Sequence, residues 1–290
     1  MTETPLVEAA PAKVNLALHI TGRRPDGYHE LESLVVFAGV ADELVAHRAR
    51  KDSLTVTGPF AAHAGNGDKN LVSRAVAAFR DRWPAEVSFG LALELRKNLP
   101  VAAGLGGGSA DAAAALRLMA RCATGDIPIP ALSEVALTLG ADVPACLASR
   151  PCEVRGIGEI IHPLERFPAC HLVLVNPLIP VVTADVFRRL ERRANPGLPP
   201  LPSPLTRPAQ LGIWLLETRN DLEETAIGLV PAIGQIIERM RLVDGCMLAR
   251  MSGSGATVFG LFGSATQAHQ AAHDLRAVWP DYWVAAAPLL

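Results

Sequence analysis

No block of like charge, no apolar run of membrane-spanning length and no C-x-x-C pair occurs in these 290 residues. Each absence closes off a class of function. Lys+Arg 27 stand against Asp+Glu 29, a formal net charge of −2. Neither a nucleic-acid patch nor a polybasic membrane anchor is expected from that balance. Without a long hydrophobic stretch, no membrane-embedded role is expected. Met1 to Glu8 have neither a basic start nor an apolar segment, so no secretory leader is expected and the chain should work in the cytoplasm. The five cysteines, Cys122, Cys146, Cys152, Cys170 and Cys246, are odd in number and not spaced as zinc ligands. Reduced, mostly buried thiols are the expectation. No repeat of solenoid length is present. The length suits two domains, each with its own core.

What is present in abundance is glycine within one short stretch. Gly104, Gly106, Gly107 and Gly108 fall within five positions and run into the alanine-rich segment Ala110 to Met119. Alanine has the best helix propensity, so that segment should be helical. Glycines permit φ > 0 and let a ligand approach the backbone. The unpaired N–H groups and positive dipole end of a helix start attract anions, which makes the stretch a candidate phosphate site. It is not a Walker A loop, since no Lys follows the glycines, and not G-x-G-x-x-G, since Ser109 stands last. The H-R-D and D-F-G motifs of protein kinases are missing. Taken alone, the stretch also suits a flexible loop capping an ordinary helix.

From Lys13 to Ile20, Val14, Leu16, Leu18 and Ile20 alternate as in a half-buried strand. Lys13, Asn15, Ala17 and His19 then share the other face, either an exposed edge or the wall of a cleft. Gly22 to Gly27 reads as a turn. Tyr28 and His29 follow it, placed to stack on a base or to cover the core. Strands are expected over Leu31–Val40, Glu43–Ala49, Ser53–Thr57 and Val87–Glu94. A polar loop is expected over 61–69, with Asn70 as helix cap. Pro130–Leu139 should be a helix stopped by Gly140, and Ala141-Asp-Val-Pro144 the start of another. At that start Asp142 is open to two readings, a capping carboxylate or a catalytic base. A hairpin over Val154–His162 precedes a strand at Leu172–Val175 and a helix at Thr183–Arg193. A proline-rich loop spans Asn195–Pro208. Helices follow to Arg219 and from Leu222 to Arg241, with an interruption near Pro231. Asn220 to Glu223 is a helix-start signal. Strands at Cys246–Met251 and Ala256–Phe262 flank a second glycine loop, Ser252–Gly255. A helix at Ser264–Val278 and a strand at Tyr282–Ala287 close an antiparallel, ferredoxin-like arrangement.

Three motifs in this order, Pro11-Ala-Lys-Val-Asn-Leu16, Pro100 to Ala110 and Met251-Ser-Gly-Ser-Gly-Ala-Thr257, resemble those of the GHMP family of small-molecule kinases. The run P-A-K-V-N-L-x-L-x-I-x-G-x-R-x-D-G-Y-H-x-L, with T-L-G-A-D-V-P at Thr138 to Pro144, narrows the resemblance. It points to the branch acting on a cytidine-diphosphate-linked methylerythritol. Asp68-Lys69-Asn70-Leu71, Gly156-Ile-Gly158-Glu159 and Asn220-Asp221-Leu222 suit the same branch. Homoserine and phosphomevalonate kinases share the glycine loop but not Gly27-Tyr-His29. They remain the alternative within the family, and a non-catalytic nucleotide-binding relative is the alternative outside it.

The resemblance implies ATP-dependent phosphorylation of the substrate's 2-hydroxyl, a step of the non-mevalonate route to isoprenoid precursors. It implies Mg²⁺ arriving with ATP, although no carboxylate cluster identifies a metal shell. The implied fold is α+β in two domains. Residues 1–155 would form a ribosomal-protein-S5-like α/β domain and residues 156–290 a ferredoxin-like domain. Lys13 and Asp142 match the family's catalytic pair. Pro100, Val101, Ala102, Ala103, Gly104, Leu105, Gly106, Gly107, Gly108, Ser109 and Ala110 match its ATP loop, and Asn70 a residue on the adenine side. Asn15, Tyr28, His29, Thr183 and Phe187 match substrate positions. Two departures stand out. Val35 occupies a place where relatives carry an aromatic, and Val101-Ala-Ala103 replaces a more glycine-rich opening.

Overall fold

The computed structural model describes residues 4–65 and 67–290. Met1 to Glu3, where the N-terminal stretch expected to lack a leader begins, and Asn66, in the polar loop expected over 61–69, lie outside them. By compactness the chain forms two units interleaved in sequence. Unit 1 is residues 1–12, 41–101 and 106–149; unit 2 is residues 13–40, 102–105 and 150–290. The units are therefore not successive halves of the chain, and position 156 falls inside a strand, Cys152–Gly156.

Two long strands, β1 (Leu6–Arg23) and β2 (His29–Ala49), pair with each other and give their two halves to different units. Both outrun the expected strands. β1 passes through Pro11, and β2 runs unbroken through Ala41 and Asp42, which separate the two expected strands. Residues 10–20 of β1 are buried without alternation, so the half-buried expectation does not hold. Lys13, Asn15, Ala17 and His19 are as enclosed as the leucines between them.

In unit 1, β2 pairs antiparallel with β4 (Gly90–Arg96), and β4 pairs in parallel with β3 (Ser53–Thr57). A parallel pair needs a crossover, and α1 (Leu71–Arg82) lies between the two strands in sequence. β4 starts at Gly90 rather than Val87 because Arg80 of α1 takes the Val87 and Phe89 carbonyls at 2.8 Å each. α2 (Gly107–Cys122) carries five alanines among its buried residues (Ala110 and Ala112 to Ala115), with Leu116 and Leu118, and the partly buried Ala120 follows. A helix apolar on nearly every face belongs in an interior. Its small side chains let α1, α3 (Ile129–Leu139) and α4 (Val143–Ala148) pack close on it.

In unit 2, the first half of β2 pairs with β5 (Cys152–Gly156), which forms a hairpin with β6 (Ile160–Pro163). A separate four-stranded sheet has the order β10-β7-β9-β8, all antiparallel. Its strands are β7 (His171–Asn176), β8 (Cys246–Met251), β9 (Val258–Phe262) and β10 (Trp283–Pro288). Helices α5 (Thr183–Arg189), α6 (Pro208–Leu216), α7 (Glu223–Leu229) and α8 (Ala232–Arg241) fill the β7–β8 connection, and α9 (Ala265–Val278) the β9–β10 connection. This is the ferredoxin-like arrangement. α8 buries Ile233, Ile236, Ile237 and Met240, one stripe at helical spacing. α5 stops at Arg189, short of the expected Arg193, and Asn195 N–H then donates to the Ile20 carbonyl at 2.9 Å, which draws the chain onto β1. Pro231 divides α7 from α8, as a proline without an N–H must. Among the described residues, no helix is long and apolar enough to cross a membrane.

Arg250 of β8 ties unit 2 together internally. Its buried guanidinium donates to the carbonyls of Leu16, Leu215 and Thr218 and to the Thr218 hydroxyl, at 2.7 to 3.0 Å. Burial brings its pKa down to about 10, so it remains a cation at neutral pH. Arg250→Leu strands three buried carbonyls. The expected cost is about 3 kcal/mol, the scale of hydrogen bonds to a charged group left unmade. Urea unfolding at neutral pH measures it, and an unchanged midpoint would contradict the assignment.

Candidate active site

The two glycine loops are built against each other by backbone geometry within unit 2. Ser252 follows β8, and its hydroxyl accepts the Asn15 N–H at 3.2 Å and donates to the Gly104 carbonyl at 2.8 Å. Thr257 N–H donates to the Ala103 carbonyl at 3.1 Å, and Lys13 N–H to the Leu105 carbonyl at 2.9 Å. Gly104 takes φ +73°, and a Cβ there would run into the Ser252 carbonyl oxygen and lie 2.9 Å from Gly255 N. Only glycine fits, for conformation and for space alike. Asn220 completes the joint. Its side-chain amide donates to the Met251 and Gly253 carbonyls at 2.9 and 2.8 Å, while its Oδ1 accepts the Leu222 N–H at 3.0 Å. The helix-start reading of Asn220 is right as far as that last bond goes. Its grip on the second glycine loop had no sequence signal.

Beyond Leu105 the loop passes into unit 1. Gly106 is left-handed at φ +60° and caps α2. The helix begins at Gly107, three residues before the alanine run, so Gly107, Gly108 and Ser109 form its first turn. Their amides are the ones that an α-helix leaves unpaired. Ala102 also takes positive φ, +53°, a conformation that costs an L-residue about 1 kcal/mol or more. Pro100 and Val101 lead into the loop in unit 1.

Lys13 is 5% exposed and Asn15 4%. Asn15 Nδ2 donates to Ser33 Oγ at 2.7 Å, and that hydroxyl donates to the Ala17 carbonyl at 2.6 Å. Asn15 Oδ1 is buried and has no hydrogen-bond partner, which buried carbonyl oxygens seldom tolerate. Asp142 stands at the N-cap position of α4 with helical backbone angles, and its side chain makes no capping bond. The capping alternative is not what the structure adopts. Asn70 does cap α1, Oδ1 accepting the Val72 N–H at 2.9 Å, and its Nδ2 donates to the Gly65 carbonyl at 2.7 Å.

A pocket of about 460 Å³ opens beside the β1–β2 turn in unit 2, lined by Arg23, Tyr28, His29, Ile157, Phe187 and Arg193 among others. Asp26 accepts the Tyr28 N–H at 3.0 Å and Gly27 takes φ +93°, which fixes the turn. Arg24 reaches Glu159 at 3.3 Å and so anchors the turn to the β5–β6 hairpin. The His29 and Phe187 rings lie 5.1 Å apart at 33°. His29 Nε2 is buried without a partner. Burial, reinforced by Arg23 and Arg193, holds the His29 pKa below its ordinary value, so the ring is neutral at pH 7. Tyr28 is exposed at the rim. Thr183 opens α5 and shares a hydrogen bond with Ser254 of the second glycine loop at 2.8 Å. Val35 is fully buried on β2.

Sequence reasoning missed a buried ionic cluster in unit 1. Lys97, just past β4, bonds Asp42 of β2 and, at 2.6 Å, Asp111 of α2. The available signal was a lone aspartate inside an otherwise apolar alanine helix. Among the described residues, no group of three His, Cys, Asp or Glu side chains could hold a metal ion.

The chain matches the model of the GHMP kinases N terminal domain over residues 70–150 and that of the GHMP kinases C terminal over residues 206–281. It is 47% identical over 281 residues to the 4-diphosphocytidyl-2-C-methyl-D-erythritol kinase of Rhizobium etli, covering 97% of this chain and 94% of that protein. It is 48% identical over 286 residues to the kinase of the same name from Jannaschia sp., covering 97% and 96%. A crystal structure of 4-(cytidine 5'-diphospho)-2C-methyl-D-erythritol kinase superposes with a TM-score of 0.80 at 35% identity, covering 98% of this chain and 99% of that one.

Gly104→Ala should cost more than about 2 kcal/mol, because neither the left-handed backbone nor the Ser252 carbonyl can accommodate the methyl. Chemical denaturation reads that loss, and a neutral substitution would refute the packing described. His29 should titrate with a midpoint below 6.5 by NMR; a midpoint at or above 6.5 would contradict its burial beside two arginines.

Proposed function

The chain belongs to the GHMP kinase family, and we propose that it transfers the γ-phosphoryl group of ATP to the 2-hydroxyl of 4-(cytidine 5'-diphospho)-2-C-methyl-D-erythritol. The reaction yields the 2-phosphate and ADP, a step toward isoprenoid precursors, and takes place in the cytoplasm. One observation carries the choice of substrate: the neutral His29, with a buried, unpartnered Nε2, faces Phe187 in a pocket about 460 Å³ in volume. A pyrimidine ring would fill such a pocket, with its edge on the imidazole and its face on an aromatic ring. Arg23 and Arg193 in the same pocket offer positive charge to a diphosphate.

Phosphoryl transfer needs positioning and charge neutralisation more than covalent chemistry. The amides of Ala103 to Ser109, with the dipole of α2, receive the triphosphate. Asp142 accepts the proton of the 2-hydroxyl as that oxygen bonds to the γ-phosphorus. The bond from γ-phosphorus to the bridging oxygen breaks, and ADP leaves. Lys13 supplies positive charge to the alkoxide and the transferring group. Asn15 orients the substrate, and Thr183 borders it from the start of α5. Asn70 serves the adenine side. Mg²⁺ is expected on the phosphates of ATP, since magnesium sites commonly rely on substrate phosphates for much of their shell. Among the described residues, no cluster of carboxylates would make it a resident ion.

The test is ADP release and product mass with Mg-ATP and the cytidine-diphosphate substrate. Asp142→Ala should lower kcat by about 10²–10⁴, and Lys13→Ala by about 10²–10³. His29→Ala should raise the KM for the cytidine substrate about tenfold, the worth of one hydrogen bond, with kcat little changed. Turnover of homoserine or phosphomevalonate instead would overturn the substrate. ATP binding without turnover of any alcohol would favour a non-catalytic relative.

A further inference from the structure

α2 carries one buried charge, Asp111, on the turn behind Gly107. Lys97, 3% exposed, reaches beneath that turn from the end of β4. Its ammonium donates to Asp42 Oδ2 and to Asp111 Oδ2. The second oxygen of Asp42 accepts the N–H groups of Asn98 and Leu99, at 2.5 and 2.8 Å. Asp111 is not satisfied in this way: its Oδ1 is buried and has no hydrogen-bond partner. A Cβ built on Gly107 would lie 3.6 Å from Lys97 Nζ and 3.7 Å from Asp42 Oδ2. The cluster therefore sits in van der Waals reach of the residue that opens the helix.

Two carboxylates around one ammonium leave a net negative charge in the interior when both are ionised. Burial, opposed by Lys97 and reinforced by Asp42, pushes the Asp111 carboxyl up to about 7. Burial works against the Lys97 charge too, but the two carboxylates outweigh it and hold that ammonium above its ordinary pKa. Lys97 and Asp42 are the charges that act on the Asp111 carboxyl. Of the residues that α1, α3 and α4 bury, only the Cys146 thiol can titrate. Arg117, further along α2, is taken up by Glu8 and by backbone carbonyls.

We propose that Asp42, Lys97 and Asp111 are positioning residues of the phosphate loop, and that binding of a nucleotide polyphosphate at the first turn of α2 is coupled to uptake of one proton by Asp111. The inference rests on the nucleotide reading given above. An anion bound by the Gly107–Ser109 amides adds negative charge across the turn from the cluster. Like charges in a poorly solvated site repel, and the repulsion is relieved by neutralising one of them. Asp42, with three donors on it, is held as an acceptor. Asp111, with one oxygen bare, is the group that can take a proton from solvent, and the cluster then becomes neutral. The sign follows from linkage. Below pH 7 Asp111 already holds the proton and binding takes up little. Above pH 7 the proton must be acquired on binding, so affinity falls with rising pH, by up to about tenfold per unit.

Calorimetric titration of the full-length protein with ADP at pH 8, in buffers of different ionisation enthalpy, counts the protons. Asp111→Asn run in parallel cancels the nucleotide's own titration. The unmodified protein should take up about one proton more than the variant at pH 8. The variant, already neutral at that position, should bind ADP about tenfold more tightly at pH 8 and equally at pH 6. Equal proton counts, or equal affinities at pH 8, would overturn the coupling while leaving nucleotide binding intact. If the variant does not fold, zero uptake by the unmodified protein at pH 8 overturns it alone. Failure of the unmodified protein to bind ADP at either pH would overturn the nucleotide reading, and this inference with it.

Discussion

One hydroxyl holds the two glycine loops to the strand that carries Lys13. Ser252 Oγ takes the Asn15 N–H and gives its proton to the Gly104 carbonyl, across separations of 237 and 148 residues. Each such bond is worth only about 1 kcal/mol net. The weakness is offset by redundancy: Lys13 to Leu105, Thr257 to Ala103 and Asn220 to Met251 and Gly253 fix the same segments in the same register. All of these bonds end on at least one main-chain atom. The backbone that carries Lys13 and Asn15 is thus located by main-chain bonds on either side of it. Glycine at 104 is a consequence, because the Ser252 carbonyl occupies the place of a side chain.

Two of the buried cations, Arg250 and Lys97, are held by different means. Arg250 is surrounded by carbonyls and a hydroxyl, and no carboxylate touches it among its hydrogen bonds. Its planar fork of donors suits several fixed acceptors at once, which an ammonium could not meet. Lys97 is a compact charge and is met by two compact anions. The first arrangement has no proton that moves near neutral pH. The second has one, because two carboxylates compete for a single ammonium in a desolvated place. A structural clamp and a titratable support differ here in donor geometry more than in depth of burial.

The order of elements was legible in the sequence almost throughout, because periodicity, glycine stops and proline starts act locally. The helices after Asn70, Pro128 and Ser264 and the hairpin before Pro163 follow such signals. Errors came where tertiary contacts override local ones. β2 runs on through Ala41 and Asp42 because Asp42 accepts the Asn98 and Leu99 N–H groups at 2.5 and 2.8 Å and Glu43 to Ala49 pair with β4. β1 is buried on both faces, so Lys13 and Asn15 could not be told from an exposed edge by alternation alone. The candidate site was legible where a residue type is unusual for its element, as with the glycine loop, Asp142 and Tyr28-His29. Asn220's hold on the second loop and the Lys97 cluster depend on partners 31 and 55 residues away, which no local pattern encodes.

Discrimination within a widely shared fold has to come from what the shared elements do not contain. Glycine loops, a lysine on β1 and an alanine helix serve any alcohol and any polyphosphate equally well. The β1–β2 turn is different in kind. It is a short excursion set by Asp26 and Gly27, anchored by Arg24 to Glu159, and it delivers one imidazole to a ring that arrives from α5. Under the proposed function, His29 selects because its surroundings keep it neutral. Burial, Arg23 and Arg193 all disfavour the imidazolium, leaving a ring with one donor and one acceptor. A charged ring would offer donors alone and favour any anion. The same two arginines that neutralise the histidine line its pocket, so under the proposed function base recognition and charge recognition are coupled through one small group of residues. Changing either arginine would therefore alter the histidine as well as the charge of the pocket, and a substrate preference built this way is not separable into independent contacts.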